Sequence, residues 1–135
     1  MACGGQVASS PSEIQSITLH STGGFIGEDL TYVLQADGSI VTTGHGTSPT
    51  GTTHAPGGAA DASALFGDVL GTKVMSVSAG NYLPSDTCCD RIEDDLTIAA
   101  TTGTNEWQVM ADGAGAPAEV LSALQLVHAY VGAAH

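Results

Sequence analysis

The sequence predicts an α+β domain: a single antiparallel sheet of about five strands with two helices packed on one face. Three observations lead there. Short β-rich runs alternate apolar and polar residues, Asp37-Gly38 forms a turn between two of them, and two later segments carry apolar residues at helical spacing. Hairpin-joined strands followed by helices argue for an antiparallel sheet covered on one side. At 135 residues there is room for one domain, read as 13–135 behind a flexible tether of residues 1–12.

The first strand is expected at about Glu13 to Ser21, with Ile17 and Leu19 sharing a face. A glycine-rich loop over 22–29 leads to strands at 30–35 and 40–43, hinged on Ala36-Asp37-Gly38-Ser39. Asp-Gly between two β-rich runs is a strong hairpin signal. From Gly44 to Gly58 the chain is Gly, Thr, Pro, Ser and His apart from Ala55, and reads as a long polar loop. Ala59 to Leu70 reads as a helix, with Leu65, Phe66, Val69 and Leu70 on one side and Gly71 where a C-cap belongs. Lys73 to Val77 is a candidate short strand, and 81–90 is irregular. Ile92 to Thr101 sets Ile92, Leu96 and Ile98 against Glu93, Asp95 and Thr97, and Glu106 to Met110 is the next strand. Pro117 is expected at the first position of the last helix, where Glu119 complements the N-terminus. Its apolar face is Val120, Leu121, Leu124, Val127 and Val131.

Fourteen acidic residues face only Lys73 and Arg91, a formal charge of −12. Phosphate backbones and anionic lipid headgroups repel such a surface, so nucleic-acid binding is excluded and cationic partners are favoured. Asp90, Glu93, Asp94 and Asp95 read as a solvated acidic edge strand, with Arg91 pairing one of these carboxylates. The histidines His20, His45, His54 and His128 are scattered and read as solvated, so neither metal nor cofactor is expected. Neither Gly-x-Ser-x-Gly nor His-Glu-x-x-His occurs, so a catalytic role is not expected.

Met1-Ala2-Cys3 followed by a small-residue stretch resembles the mature start of a bacterial lipoprotein, in which Cys3 is lipidated. This implies an extracytoplasmic protein, at the cell surface or in the periplasm, touching membrane only through a lipid on Cys3. The alternative is that Met1 is native and Cys3 an ordinary exposed thiol. The adjacent pair Cys88-Cys89 reads either as a vicinal disulfide, suited to an oxidising compartment, or as two thiols.

Three further segments resemble, in this order, the emfourin-like family of inhibitors of thermolysin-type (protealysin) metalloproteases and related bacterial lipoproteins. They are Ile17 to Gly27, running into Gly23-Gly24-Phe25-Ile26-Gly27 and on to Tyr32–Gly38; Cys88 to Ile98; and Ala116 to Leu124. The resemblance implies a secreted or lipid-anchored binding module that inhibits such a protease, with Gly23, Gly24, Phe25, Ile26 and Gly27 as the partner-binding loop. The alternative function is a non-enzymatic structural or accessory subunit of an extracellular or membrane-associated assembly. Phe25 divides the two readings. Exposed, it suits an anchor for a protein partner; folded back onto the sheet, it suits a scaffold.

Overall fold

The computed structural model describes residues 10–25, 27–85 and 91–134. Among them seven strands form one sheet in the order β4-β3-β2-β1-β6-β7-β5, rather than the five expected. In chain order these are β1 (Ile14–Gly23), β2 (Glu28–Gln35), β3 (Ser39–His45), β4 (Gly51–His54), β5 (Gly80–Asn81), β6 (Ile92–Ala100) and β7 (Gly103–Met110). The helices are α1 (Ala59–Gly71) and α2 (Ala118–Ala133).

The hairpin at Asp37-Gly38 forms where the sequence places it. Asp37 Oδ1 accepts the Ser39 N–H at 2.8 Å, and Gly38 takes φ 93° against the Gly58 backbone, where a side chain would collide. The sheet departs from expectation at its margins. β5 runs parallel to β7, pairing Gly80 with Trp107, so the sheet is mixed rather than antiparallel. The stretch 44–58, expected as a loop, contains the edge strand β4, whose Thr52 and Thr53 pair with Val41 and Ile40. Lys73 to Val77 is not a strand: Val74–Ser76 forms one 3-10 turn after Lys73 takes a left-handed φ of 69°. The α1 C-cap is accordingly Thr72, not Gly71, and Pro117 is the N-cap of α2 rather than its first residue.

One face of the sheet carries Ile17, Leu19, Leu34, Ile40, Leu96, Ile98, Trp107 and Val109, all fully buried. Their alternation follows from the two-residue period of a strand, and the cross-strand register Ile17–Leu34 and Ile17–Ile98 aligns them into one surface. Ala62, Leu65, Phe66 and Val69 of α1 cover it, as do Val120, Ala123, Leu124 and Val127 of α2. Leu121, expected in that face, is only half-buried, and Ala123 takes its place against the sheet. Ile17, Leu19, Leu96 and Ile98 on the two central strands make this the deepest part of the core, each worth roughly 1.5–3 kcal/mol of burial.

β6, expected as a solvated acidic edge strand, is not at an edge. It lies between β1 and β7, at the centre of the sheet, and Asp94 is 2% exposed, in phase with Leu96 and Ile98.

Candidate functional site

β1 and β2 meet in a four-residue turn, closed by Gly27 N–H donating to the Gly24 carbonyl at 3.2 Å. Strand pairing runs right up to it, with Gly23 opposite both Glu28 and Ile92, so the loop is shorter than the 22–29 expected. Gly24 N–H donates to the Arg91 carbonyl at 3.1 Å, and Gly23 at φ 105° lets that carbonyl approach where a Cβ would clash. The turn is thereby tied to β6 as well as to its own hairpin. At its second position stands Phe25, 88% exposed and the one large apolar side chain left exposed among the described residues. Ile26 lies outside the described residues, as do Cys3, Cys88 and Cys89.

Directly beneath the turn, on the helix-covered side, a cleft of about 310 Å³ opens between the sheet end and α2. Glu28 and Ile92, both opposite Gly23, stand on its sheet side, and Leu121, Leu124 and His128 on its helix side. Asp94 lies at the bottom. Ser21 donates to Asp94 Oδ1 at 2.5 Å, and His128 Nε2 meets Asp94 Oδ2 at 2.9 Å. The hydrogen bond to Asp94 raises the His128 imidazole above its ordinary value, against the opposing effect of its partial burial. Glu28 accepts from the backbone N–H and hydroxyl of Thr47 at 3.3 and 3.0 Å. Arg91 pairs with Asp112 on the rim, with Nε and Nη2 at 3.1 and 3.2 Å from its carboxylate. The Ala114 N–H and the Arg91 guanidinium together hold the Asp112 carboxyl below the usual range.

Ser21, Asp94 and His128 share the residue types of a nucleophilic triad but not its wiring. In a triad the imidazole accepts the serine proton and the carboxylate orients the imidazole. Here the Ser21 hydroxyl is buried and turned to the carboxylate itself, so His128 is not placed to activate it. The three act as a polar lock joining β1, β6 and α2.

The opposite face of the sheet is uncovered by either helix and presents the alternate residues. There His20 Nε2 lies 2.8 Å from Asp29 and its Nδ1 3.7 Å from Asp95. Burial, then Glu93 and Glu106, push the Asp95 carboxyl up to about 7. His45 and His54 are exposed. Among the described residues no group of three His, Cys, Asp or Glu side chains converges to hold a metal ion, and no helix is long and apolar enough to cross a membrane.

The glycine-flanked Phe25 stands out in the sequence as a candidate anchor, and the structure leaves its ring exposed. The Ser21–Asp94–His128 lock does not stand out, because its members are 73 and 34 residues apart. A signal existed nonetheless: Ser21 follows Ile17 and Leu19 in the buried phase of β1, and Asp94 precedes Leu96 and Ile98 in that of β6. No protein-family model matches this chain, and no curated protein matches it in sequence.

Proposed function

We propose that this chain is a non-catalytic binding module that grips a protein partner with the Gly24–Gly27 turn, the partner being a thermolysin-type metalloprotease. The observation that carries the binding role is Phe25: an aromatic ring 88% exposed on a turn tied to two neighbouring strands. Exposed rings on rigid supports are the usual anchors of protein interfaces, and holding the backbone in advance reduces the ordering cost of binding. The resemblance of the Gly-Gly-Phe-Ile-Gly segment to the emfourin-like inhibitors directs this anchor to a protease cleft. In this reading the protein works outside the cytoplasm, where such proteases act.

The test is thermolysin activity with increasing amounts of the protein and of its Phe25→Ala variant. Inhibition by wild type, weakened tenfold or more in the variant, is the expected result for an anchor worth about 2 kcal/mol. An absence of inhibition across several thermolysin-type proteases refutes the inhibitor role and leaves the accessory-subunit reading. Equal inhibition by both proteins moves the contact surface away from Phe25.

A further inference from the structure

We infer that the cleft beside Phe25 is a second point of contact, a receptor for one arginine or lysine side chain of the protein partner. The inference rests on the binding role proposed above and adds to it the chemistry of the partner's surface.

Long cationic side chains combine an aliphatic stem with a charged head, and they bind best where both are met. The cleft offers both. Ile92, Leu121 and Leu124 give it apolar walls, and at about 310 Å³ it has room for one such side chain. Asp94 at the bottom uses one carboxylate oxygen for Ser21 and the other for His128, and each oxygen has a further lone pair. Glu28 brings a second carboxylate, held in place by the neutral donors of Thr47. A neutral side chain would leave Glu28 beside only the neutral donors of Thr47, and Asp94 beside only His128, whose imidazole loses its charge as pH rises. A formal charge of −12 also draws cations toward the molecule before contact. Because Gly23 is paired with both Glu28 and Ile92, the mouth of the cleft and the root of the Phe25 turn share one row of the sheet. One partner surface can therefore meet both.

His128 makes the site report on its own occupancy. The groups facing it are Asp94 from β6, Glu28 from β2, and Asp112 with its Arg91 from the segments flanking β6 and β7. A cation entering among them opposes the imidazolium, so occupancy lowers the His128 pKa. By linkage, raising the pH through that transition strengthens cation binding.

The probe is n-butylguanidinium, with the neutral n-butylurea as control, titrated into the whole chain and followed by NMR. The expected result is saturable shifts at the Gly113, Leu121 and Gln125 amides with the cation but not with the urea. The His128 ring titration should move to lower pH in the bound state. Glu28→Gln, which keeps an acceptor for Thr47, should weaken binding about threefold, the size of a partly exposed ion pair. Equal shifts with both compounds, or shifts scattered over exposed carboxylates with the His128 titration unmoved, overturn the inference. The binding role fails separately. Protease inhibition that depends on Phe25 without cation binding in the cleft removes only this inference. Cation binding in the cleft without inhibition of any protease keeps the cation site and removes the protease as its partner.

Discussion

Asp94 and Asp95 are neighbours in the same strand, yet they stand on opposite faces of the sheet and meet opposite surroundings. Asp94 faces the helices, is almost wholly buried, and has a donor on each oxygen. Asp95 faces the uncovered side, with its side chain 13% exposed, and its Oδ1 is buried without a hydrogen-bond partner. Burial penalises a carboxylate in both places, but only Asp94 is compensated by designated donors. For Asp95 the surroundings add the charges of Glu93 and Glu106, and the proton is retained to about pH 7. A run of acids that reads as one solvated edge is thus two different sites, separated by a single step in a period of two.

The covered face should be the easier one to break. Leu124→Ala, at a site 4% exposed where α2 meets both core and cleft, is expected to cost about 2–5 kcal/mol in urea unfolding. An unchanged midpoint would show that α2 contributes little to the core. Asp94→Ala should cost about 3 kcal/mol, because it strips the Ser21 hydroxyl and His128 of their shared acceptor inside the fold. The same experiment at Asp95 should go the other way. A carboxyl whose folded pKa lies above its unfolded 3.8 keeps its proton longer in the native state, so stability falls as pH rises from about 4 to about 7. Asp95→Asn should flatten that decline and raise stability at pH 8 by on the order of 1–2 kcal/mol. A pH profile identical to wild type would place the retained proton elsewhere.

How far these sites could be read in the sequence depended on whether their signals were local. The Asp37-Gly38 hairpin, both helices and the glycine-rich turn around Phe25 announce themselves within a few residues, whereas the exposure of Phe25 is decided only by the fold. β4 and β5 do not: Gly51–His54 is polar on both faces and Gly80–Asn81 is two residues long, so neither carries an alternation. Their strand character comes from partners already in place, Val41 and Trp107 among them. The centrality of β6 was hidden for a related reason. Four acids in six residues outweighed the alternation of Leu96 and Ile98, although that alternation already placed Asp94 inside. His128 gave no local sign, being one polar residue on an otherwise apolar stretch of α2.

Two smaller effects sharpen the contrast between lock and turn. His128 is half exposed, so His128→Gln should cost under about 1 kcal/mol. The raised pKa fixes its sign with pH. The contribution is complete below pH 6.5 and is lost as pH rises through the folded value, so wild type and variant should converge once pH has passed it. A gap that widens with pH contradicts the Asp94 pairing. Phe25→Ala should leave the unfolding midpoint within about 0.5 kcal/mol of wild type, as expected of an exposed side chain that packs on nothing. A large loss there would mean that the ring supports the fold rather than a partner.

The most direct measurement is hydrogen exchange on the protein with and without thermolysin, mapped along the chain. Slowed exchange concentrated at Gly23–Glu28 and the adjoining 111–114 segment, with the open face around His20 and Asp95 unchanged, is the predicted result. Protection confined to that open face, or identical exchange in the presence of the protease, would contradict the placement of the binding surface at the Phe25 end of the sheet.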